Sequence, residues 1–360
     1  MSKITVIGAG KTGRGFIGRL LAENNTAFSF VDKDAELVSK LAEDKKFEVS
    51  YFGNVREKTT VSDFNITTWE DADFSDTELI FVSVCGGNLK DVGAELKKRL
   101  NPEKKYYIIT CENYSNPAGV LKEAIGLENI AVSEATVFCT TIENSGLNIS
   151  SENYPYLQCN ADLLEGYVPD IASVKPVENF GNFLTRKLFT YNAASCVIAY
   201  LGWLLGYSDY GEAANDERIL KLLDKNYEVT NRVLCKEFGY DEDDQKEFAQ
   251  LSKNKFTDKT IVDTVARNAR EPQRKLGKSE RIVGPMLVIN KYGEDTSVLS
   301  MTAAAMLMYE NDGEDAWDEI RNNNTPGEIL EKICEIPKDS ELYKEILTYY
   351  DKFKKEKTLC

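Results

Sequence analysis

Lys3-Ile-Thr-Val-Ile7 runs directly into Gly8-Ala-Gly10-Lys-Thr-Gly13, and this stretch decides the fold. The first five residues are a β-branched run that predicts a strand. After the glycines, the apolar residues Phe16, Ile17, Leu20 and Leu21 recur at helical spacing. A strand, a glycine turn and a helix in this order predict the first unit of a dinucleotide-binding Rossmann domain.

Each glycine of the turn is expected to have its own role. Gly8 permits the tight turn, Gly10 lets the backbone approach a pyrophosphate, and Gly13 lets the helix pack close to the strand. The free N–H groups at the start of the helix and the helix dipole favour an anion there. The turn therefore predicts a binding site for a dinucleotide.

A second predicted strand, Ala27 to Val31, ends at Asp32. An acidic side chain about 20 residues beyond the glycines accepts hydrogen bonds from the adenosine ribose and repels a 2′-phosphate. Asp32 therefore favours NAD over NADP, although the charge of Lys33 would partly offset the repulsion. FAD remains an alternative ligand for the same motif.

Three further strands are predicted at residues 78–85, 105–111 and 130–133, with helical patterns between them. This alternation predicts an α/β fold with a doubly wound parallel sheet, whose ligands lie beyond the carboxyl ends of the strands. Asn88 and Asn113 follow two of these ends, so both are candidate cofactor contacts. For Asn113, a turn residue is an equally good interpretation.

From about Glu178 onward the pattern becomes helical. We therefore predict a Rossmann NAD-binding domain in residues 1–180 and a mainly α-helical domain that binds the substrate in residues 181–360. Predicted helices include residues 180–205 and 256–269, and the acidic run at residues 241–244 is interpreted as a solvated loop.

The formal net charge of −15 argues against a nucleic-acid partner and against anionic membranes. The longest apolar stretches are shorter than the roughly 20 residues that span a bilayer. No secretory signal is recognised at the start of the sequence. A cytoplasmic protein is therefore expected, and its oligomeric state is left open.

The 360 residues include no histidine. This excludes Ser-His-Asp catalysis, Cys-His catalysis and any histidine-ligated metal site. The eight cysteines contain no C-x-x-C pair and are interpreted as reduced thiols. No metal is expected, and proton transfer must use Lys, Tyr, Cys, Asp, Glu or water.

A polar arc is predicted at the start of the helix at residues 180–205. On an α-helix, Lys187, Tyr191, Ser195 and Asn192 would lie at about 0°, 40°, 80° and 140° around the axis. A lysine that leads into a buried helix is partly desolvated, which lowers its pKa toward that of a general base. The alternative is an ordinary lysine whose amino group reaches solvent.

Several motifs stand in order over most of the chain: Gly13-Arg14-Gly-Phe-Ile-Gly18, Cys111-Glu-Asn113, Arg186-Lys187-Leu-Phe-Thr190 with Asn192, Ala199-Tyr-Leu-Gly202, and Arg274-Lys-Leu-Gly-Lys-Ser-Glu-Arg281 with Gly284-Pro285. Together they resemble the polyol-specific long-chain dehydrogenases. The resemblance implies a metal-independent, NAD-dependent oxidoreductase that interconverts a polyol or polyol phosphate, of the mannitol 1-phosphate type, and the ketose. It also implies that Lys187 is the general base and that Arg14 lies on the cofactor side.

The sequence departs from the family pattern at two places. The signature K-x4-N-x2-H assigns Asn and His to the reacting oxygen; here it maps to Lys187, Asn192 and Ser195. Where the family carries an Asp-Arg pair, this chain has Phe138-Cys139. Two alternatives therefore stay open: a sugar-acid (hexuronate or aldonate) oxidoreductase of the same family, and a non-catalytic NAD-binding sensor.

A basic segment is a candidate site for a substrate phosphate, because arginine suits multidentate oxygens. Its members are Arg267, Arg270, Arg274, Lys275 and Arg281. The alternative is that some of them pair with Glu271 and Glu280 and brace the structure.

Overall fold

The structure is a computed structural model that describes residues 3–52, 54–260, 262–356 and 358–359. The chain forms two compact units. The first ends at Phe183 and the second begins at Leu184.

The first unit is built on a large twisted sheet. In the described residues its strand order is β12-β11-β8-β7-β6-β1-β2-β5. The strands of this sheet are β1 (Ile4–Ile7), β2 (Phe28–Val31), β5 (Phe64–Thr67), β6 (Leu79–Val82), β7 (Tyr106–Thr110), β8 (Ile130–Thr136), β11 (Leu157–Asn160) and β12 (Val174–Val177). Helices of this unit are α1 (Arg19–Glu23), α2 (Ala35–Asp44), α3 (Leu89–Arg99) and α4 (Pro117–Ile125).

The six strands from β8 to β5 are parallel, and β1 lies between β2 and β6. This is the strand order of a Rossmann fold, with its topological switch point between β1 and β6. Strand β6 is buried along its whole length, as expected for a strand that helices cover on both faces. The predicted fold class is confirmed.

A small second sheet was not predicted. Its order is β4-β3-β10-β9, from β3 (Phe47–Tyr51), β4 (Asn54–Val61), β9 (Thr141–Glu143) and β10 (Ile149–Ser151). The first turn of the helix after the glycine loop packs on it, since a Cβ at Gly15 would lie 2.4 Å from a methyl carbon of Ile149. Three of its four strands have only three to five residues and give weak periodicity, which explains why this sheet was missed.

The second unit is helical. Its helices are α5 (Phe180–Lys187), which begins just before the boundary between the units, α6 (Ala193–Leu204), α7 (Tyr210–Ala214), α8 (Glu217–Phe238), α9 (Glu242–Thr257), α10 (Val265–Ala269), α11 (Pro272–Lys275), α12 (Val283–Lys291), α13 (Ser297–Met308), α14 (Asp315–Asn323), α15 (Pro326–Lys332) and α16 (Glu341–Lys355). Almost every residue of α6 and α13 is buried, so these two helices form the centre of the core.

Two local predictions for this unit are wrong. The helix expected at residues 256–269 is interrupted, because Asp258 accepts hydrogen bonds from Thr260 and a new helix begins after Thr264. The acidic run at residues 241–244 is not a loop: Asp241 caps α9 through the backbone N–H groups of Asp243 and Asp244. Acidic residues in a first turn complement the helix dipole.

Among the described residues, no helix combines the length and the apolar character that crossing a membrane requires.

Candidate active site

A pocket of about 840 Å³ opens in the first unit at the topological switch point. Its lining includes residues at or beyond the carboxyl ends of four parallel strands: Gly8 after β1, Asp32 after β2, Cys85 after β6 and Glu112 after β7. The position agrees with the expectation from the doubly wound sheet, and the volume lies in the range of cofactor sites.

The glycine turn has the geometry that its sequence predicts. Gly8 has a φ of +95°, and a Cβ there would lie 2.2 Å from the carbonyl oxygen of Ser83. A Cβ on Gly13 would lie 1.9 Å from the carbonyl oxygen of Gly8. Around Gly10, by contrast, no described residue other than its two chain neighbours has an atom within 4 Å of an added Cβ. Internal packing therefore explains Gly8 and Gly13, while Gly10 borders the open pocket.

Asp32 links the second strand to the glycine turn. One carboxylate oxygen accepts a hydrogen bond from the backbone N–H of Ala9 at 2.6 Å, and the other accepts one from Asp34 at 2.9 Å. The carboxylate is thus held at the pocket wall, with lone pairs left for further donors because an ionised carboxylate has about four acceptor sites.

Of the three other candidate cofactor residues, Asn88 lines the pocket, whereas Asn113 and Arg14 make contacts within the protein. The side-chain amide of Asn113 donates to the carbonyl of Val137 at 2.8 Å and accepts from its N–H at 2.9 Å, so it ties two strand ends together. Arg14 is fully buried and pairs with Glu143, and its Nε and Nη1 find no acceptor among the described residues.

Sequence reasoning missed part of the pocket wall. Trp69 follows β5, and the guanidinium of Arg99 lies 5.5 Å from its ring centre while Nε donates to the Trp69 carbonyl at 2.9 Å. Both line the pocket. Glu112 was noted only as part of a motif; burial raises the pKa of its carboxyl. The position of Trp69 just beyond a strand end was the available signal.

The second unit carries Lys187, Asn192 and Ser195 on the continuous helical segment formed by α5, a π turn and α6. Between α5 and α6, residues Leu188–Asn192 form a π turn, in which the N–H of Ala193 bonds to the carbonyl of Leu188. Residues five apart lie above one another in such a turn. The expected separation of about 140° between Lys187 and Asn192 is therefore wrong, and both residues share a face with Ser195, one α-helical turn further on.

Lys187 has the electrostatic surroundings of a base. Burial, together with the positive charges of Lys255 and Arg281, lowers its pKa from 10.5 to about 7. Burial and like charges both disfavour the ammonium form. A large part of Lys187 is therefore neutral near pH 7, which favours the prediction of a base over that of an ordinary solvated lysine.

Ser195 stands where the family signature has histidine, and its hydroxyl is held on two sides. The hydroxyl of Tyr210 donates to Ser195 Oγ at 3.2 Å, and Ser195 donates to Asn268 Oδ1 at 3.5 Å. Asn268 in turn accepts a hydrogen bond from Lys275 Nζ at its backbone carbonyl, at 2.7 Å. These contacts were not predicted, because Tyr210 and Asn268 are distant in sequence from the helix.

The basic segment is largely occupied by ion pairs. Arg274 pairs with Glu271 at 2.7 Å, and Arg281 pairs with Glu280 at 3.0 Å, as the alternative interpretation expected. The exposed Arg267 pairs with Asp263 at 2.7 Å, and Arg270 donates to the carbonyl of Arg267. Lys275 is buried. Of these residues, Arg281 is the one whose charge acts on Lys187.

The residues that replace the family's Asp-Arg pair serve packing. The ring of Phe138 stacks on Tyr154 with centres 4.9 Å apart, and it meets Phe183 at 6.2 Å. Cys139 lies 3.0 Å from the hydroxyl of Ser151. Within the described ranges, no group of three or more cysteine, aspartate or glutamate side chains is arranged to hold a metal ion.

Two family models match the chain. The model of the mannitol dehydrogenase Rossmann domain covers residues 2–142, and that of the mannitol dehydrogenase C-terminal domain covers residues 179–354. The chain belongs to the mannitol dehydrogenase family. The family resemblance deduced from the motifs is thereby confirmed.

Relatives with assigned names include a mannitol-1-phosphate 5-dehydrogenase of Brevibacillus brevis, 29% identical over 91% of this chain and 95% of the relative. A second, from Caldanaerobacter subterraneus subsp. tengcongensis, bears the same name and is 27% identical over 86% of this chain and 87% of its own length.

Two solved structures share the fold of this chain. A D-sorbitol dehydrogenase in substrate-free form superposes with a TM-score of 0.74 over 99% of this chain and 93% of its own, at 14% identity. The mannitol 2-dehydrogenase of Pseudomonas fluorescens, solved with NAD and D-mannitol, gives 0.66 over 98% and 92%, also at 14% identity. At this identity the likeness concerns the fold alone.

Proposed function

We propose that this protein is a metal-independent, NAD-dependent oxidoreductase that interconverts a polyol or polyol phosphate and the corresponding ketose. The observation that carries the proposal is the pKa of Lys187, lowered to about 7 on the helix face that it shares with Asn192 and Ser195. A lysine with this pKa can take the proton of a hydroxyl near neutral pH. The names of the two relatives, both mannitol-1-phosphate 5-dehydrogenases, support the substrate class.

The pocket of the first unit fits NAD. Gly8 and Gly13 close the turn, and the space beside Gly10 leaves the backbone accessible to a pyrophosphate. Asp32 would hold the adenosine ribose, and its negative charge disfavours the 2′-phosphate of NADP. Asn88 would contribute a polar contact from the same wall. When bound, NAD supplies the hydride acceptor for the carbon that is oxidised.

The residues of the second unit would handle the proton and the oxygen. Neutral Lys187 accepts the hydroxyl proton at Nζ, so the ammonium form appears as the carbonyl forms. Asn192 and Ser195 donate hydrogen bonds to the oxygen, where negative charge develops during oxidation. Lys187, Asn192 and Ser195 are each half-buried, so this face keeps an opening through which a substrate can reach them.

A sugar-acid oxidoreductase is the second candidate, favoured by one observation. Arg281 is close enough to Lys187 for its charge to lower the pKa of that lysine. A guanidinium there suits the planar carboxylate of a hexuronate or aldonate as well as a phosphate. The ion pair between Arg281 and Glu280 would have to break before Arg281 could bind either anion.

The test is a substrate panel. Polyols, polyol phosphates and sugar acids are each assayed with NAD and NADP by absorbance of the reduced nucleotide. Turnover of a polyol or its phosphate with NAD is the expected result, and turnover of sugar acids alone supports the second candidate. NADH binding without turnover of any compound would overturn both and identify a non-catalytic NAD-binding sensor.

A further inference from the structure

The hydroxyl of Ser195 has a limited set of hydrogen-bonding options. A serine hydroxyl can donate one hydrogen bond and accept two. If Ser195 is to serve the reacting oxygen as a donor, in the place that the family gives to histidine, its single proton must point toward that oxygen. Whatever else bonds to Ser195 must therefore do so as a donor.

Tyr210 meets this requirement. Its hydroxyl donates to Ser195 Oγ at 3.2 Å. Burial raises the pKa of Tyr210 well above the ordinary tyrosine value, so the phenol keeps its proton. Its ring lies edge-on to Phe256 with centres 6.1 Å apart, and its backbone N–H bonds to the carbonyl of Asp263 at 3.1 Å. Tyr210 is thus a fixed donor that occupies one lone pair of Ser195.

The remaining partner of Ser195 is the weaker of the two. Both contacts are longer than the usual 2.5–3.0 Å of such bonds, and the one from the Ser195 hydroxyl to Asn268 Oδ1, at 3.5 Å, exceeds the 3.2 Å bond from Tyr210. Asn268 itself is held in place, since its side-chain N–H donates to the carbonyl of Thr264 at 3.1 Å. The Ser195 proton is therefore directed away from Tyr210 but bound only loosely, and a substrate oxygen could replace Asn268 as its acceptor.

We propose that Tyr210 is a positioning residue that acts through Ser195, by donating to Oγ and so turning the Ser195 proton toward the reacting oxygen. The pair of hydroxyls would then perform the hydrogen-bonding task of the imidazole that this chain lacks. No proton leaves either residue; the proton of the alcohol still goes to Lys187. The inference rests on the proposed function and adds Tyr210, which the family signature does not contain.

The experiment is a double-mutant cycle of Tyr210→Phe and Ser195→Ala on the best substrate of the panel. Loss of a donor to a developing oxyanion costs about 10²- to 10³-fold in kcat, and we expect this for Ser195→Ala with little change in KM. Tyr210→Phe should cost about tenfold, since disorder of one donor is less severe than its loss. The double variant should be no slower than Ser195→Ala alone.

Tyr227→Phe is the matched control. Tyr227 is buried in the same unit and its hydroxyl lies 2.8 Å from that of Ser252, so this substitution removes the same group from a similar pair. It should lower thermal stability about as much as Tyr210→Phe and leave kcat unchanged. A second background, Ser195→His, supplies its own ring donor, and in it Tyr210→Phe should no longer affect kcat.

The possible outcomes distinguish a failure of the proposed function from a failure of the role proposed for Tyr210. If wild-type protein turns over no compound of the panel, the proposed function fails and this inference fails with it. If the wild type is active but Tyr210→Phe keeps full kcat, or if its effect multiplies with that of Ser195→Ala, only the role of Tyr210 is wrong. An equal loss of kcat in Tyr227→Phe would show that lower stability, and not the lost bond to Ser195, causes the effect of Tyr210→Phe.

Discussion

The two units each contain a π turn at the start of a functional helix, but they prepare their sites with different parts of the chain. At Gly13–Gly18 the site is made by backbone, because glycines allow the close approaches that the turn requires. At Leu188–Asn192 it is made by side chains, because burial and the charges of Lys255 and Arg281 lower the pKa of Lys187. Backbone constraints are local and visible in sequence, whereas desolvation depends on residues far along the chain.

The side-chain site should be the more sensitive of the two to a single substitution. Lys187→Met keeps the apolar stem and removes the proton acceptor, so turnover should fall by about 10²- to 10⁴-fold. Wild-type oxidation should rise with pH through an ionisation near 7, because the deprotonated amine is the active form. Rate–pH profiles should show that this ionisation is absent from the variant.

NADH affinity, measured by fluorescence titration, should be the same in Lys187→Met and wild type, because its pocket lies in the other unit. Lys246→Met is the control, since Lys246 is an exposed lysine of the same unit with only long ion pairs, and it should change neither quantity. Near wild-type turnover of Lys187→Met would show that another group is the base.

Two substitutions in the glycine turn should have different effects, one on stability and the other on NADH binding. Gly13→Ala places a Cβ against the carbonyl of Gly8, and overpacking of this kind typically costs about 1–3 kcal/mol. The methyl group of Gly10→Ala would contact none of the described residues beyond its chain neighbours, so the thermal midpoint should equal that of wild type while NADH affinity falls by about tenfold or more. Calorimetry and titration of both variants test this, and normal NADH binding by Gly10→Ala would contradict a pyrophosphate at that position.

A smaller effect is expected for the choice of nucleotide. Wild-type protein should bind NADH more tightly than NADPH, and Asp32→Ala should narrow the ratio of the two dissociation constants by about tenfold, through loss of a charged hydrogen bond and of a repulsion. Asp34→Ala is the control: it removes the cap of α2, which costs about 1 kcal/mol of stability, but should leave the ratio unchanged. An NADPH preference in wild type would refute the role of Asp32.

Removal of metal ions is expected to have no effect on turnover. With Lys187 as base and no histidine in the sequence, dialysis against a chelator should leave turnover unchanged. Elemental analysis before and after dialysis checks this. A stoichiometric metal that is lost together with activity, and that restores activity when added back, would overturn the lysine mechanism.

The contrast between the units also explains what could be predicted from sequence. Gly8, Gly13 and Asp32 were assigned correctly to the turn and the pocket wall, because each role follows from a local backbone rule. The face of the helix on which Asn192 lies could not be predicted, since no pattern in residues 188–192 predicts a π turn. Ser195 could be located, but its bonds to Tyr210 and Asn268 arise from tertiary packing.

Two other features, the start of α9 and the small sheet, were also missed from the sequence. The cap at Asp241 follows the ordinary rule for helix starts, with acidic residues in the next turn, and a stricter use of that rule would have found α9. The small sheet joins β3 to β10 across about a hundred residues, Val49 lying opposite Ile149, and no periodicity within either strand indicates that pairing.

The π turn at Leu188–Asn192 is a place where the chain could lose one residue without turning the helix that follows. Deleting one residue there would close an ordinary α-helical turn, in which residues four apart share a face, so Lys187 and Asn192 would still share one. Within α6 the same deletion would turn all later side chains by about 100°. That helix is buried nearly throughout, and a Cβ at Gly202 would already lie 2.7 Å from Ala213, so it has no face that could accept the rotation. Descendants of this chain can therefore lose a residue in the π turn far more readily than in α6.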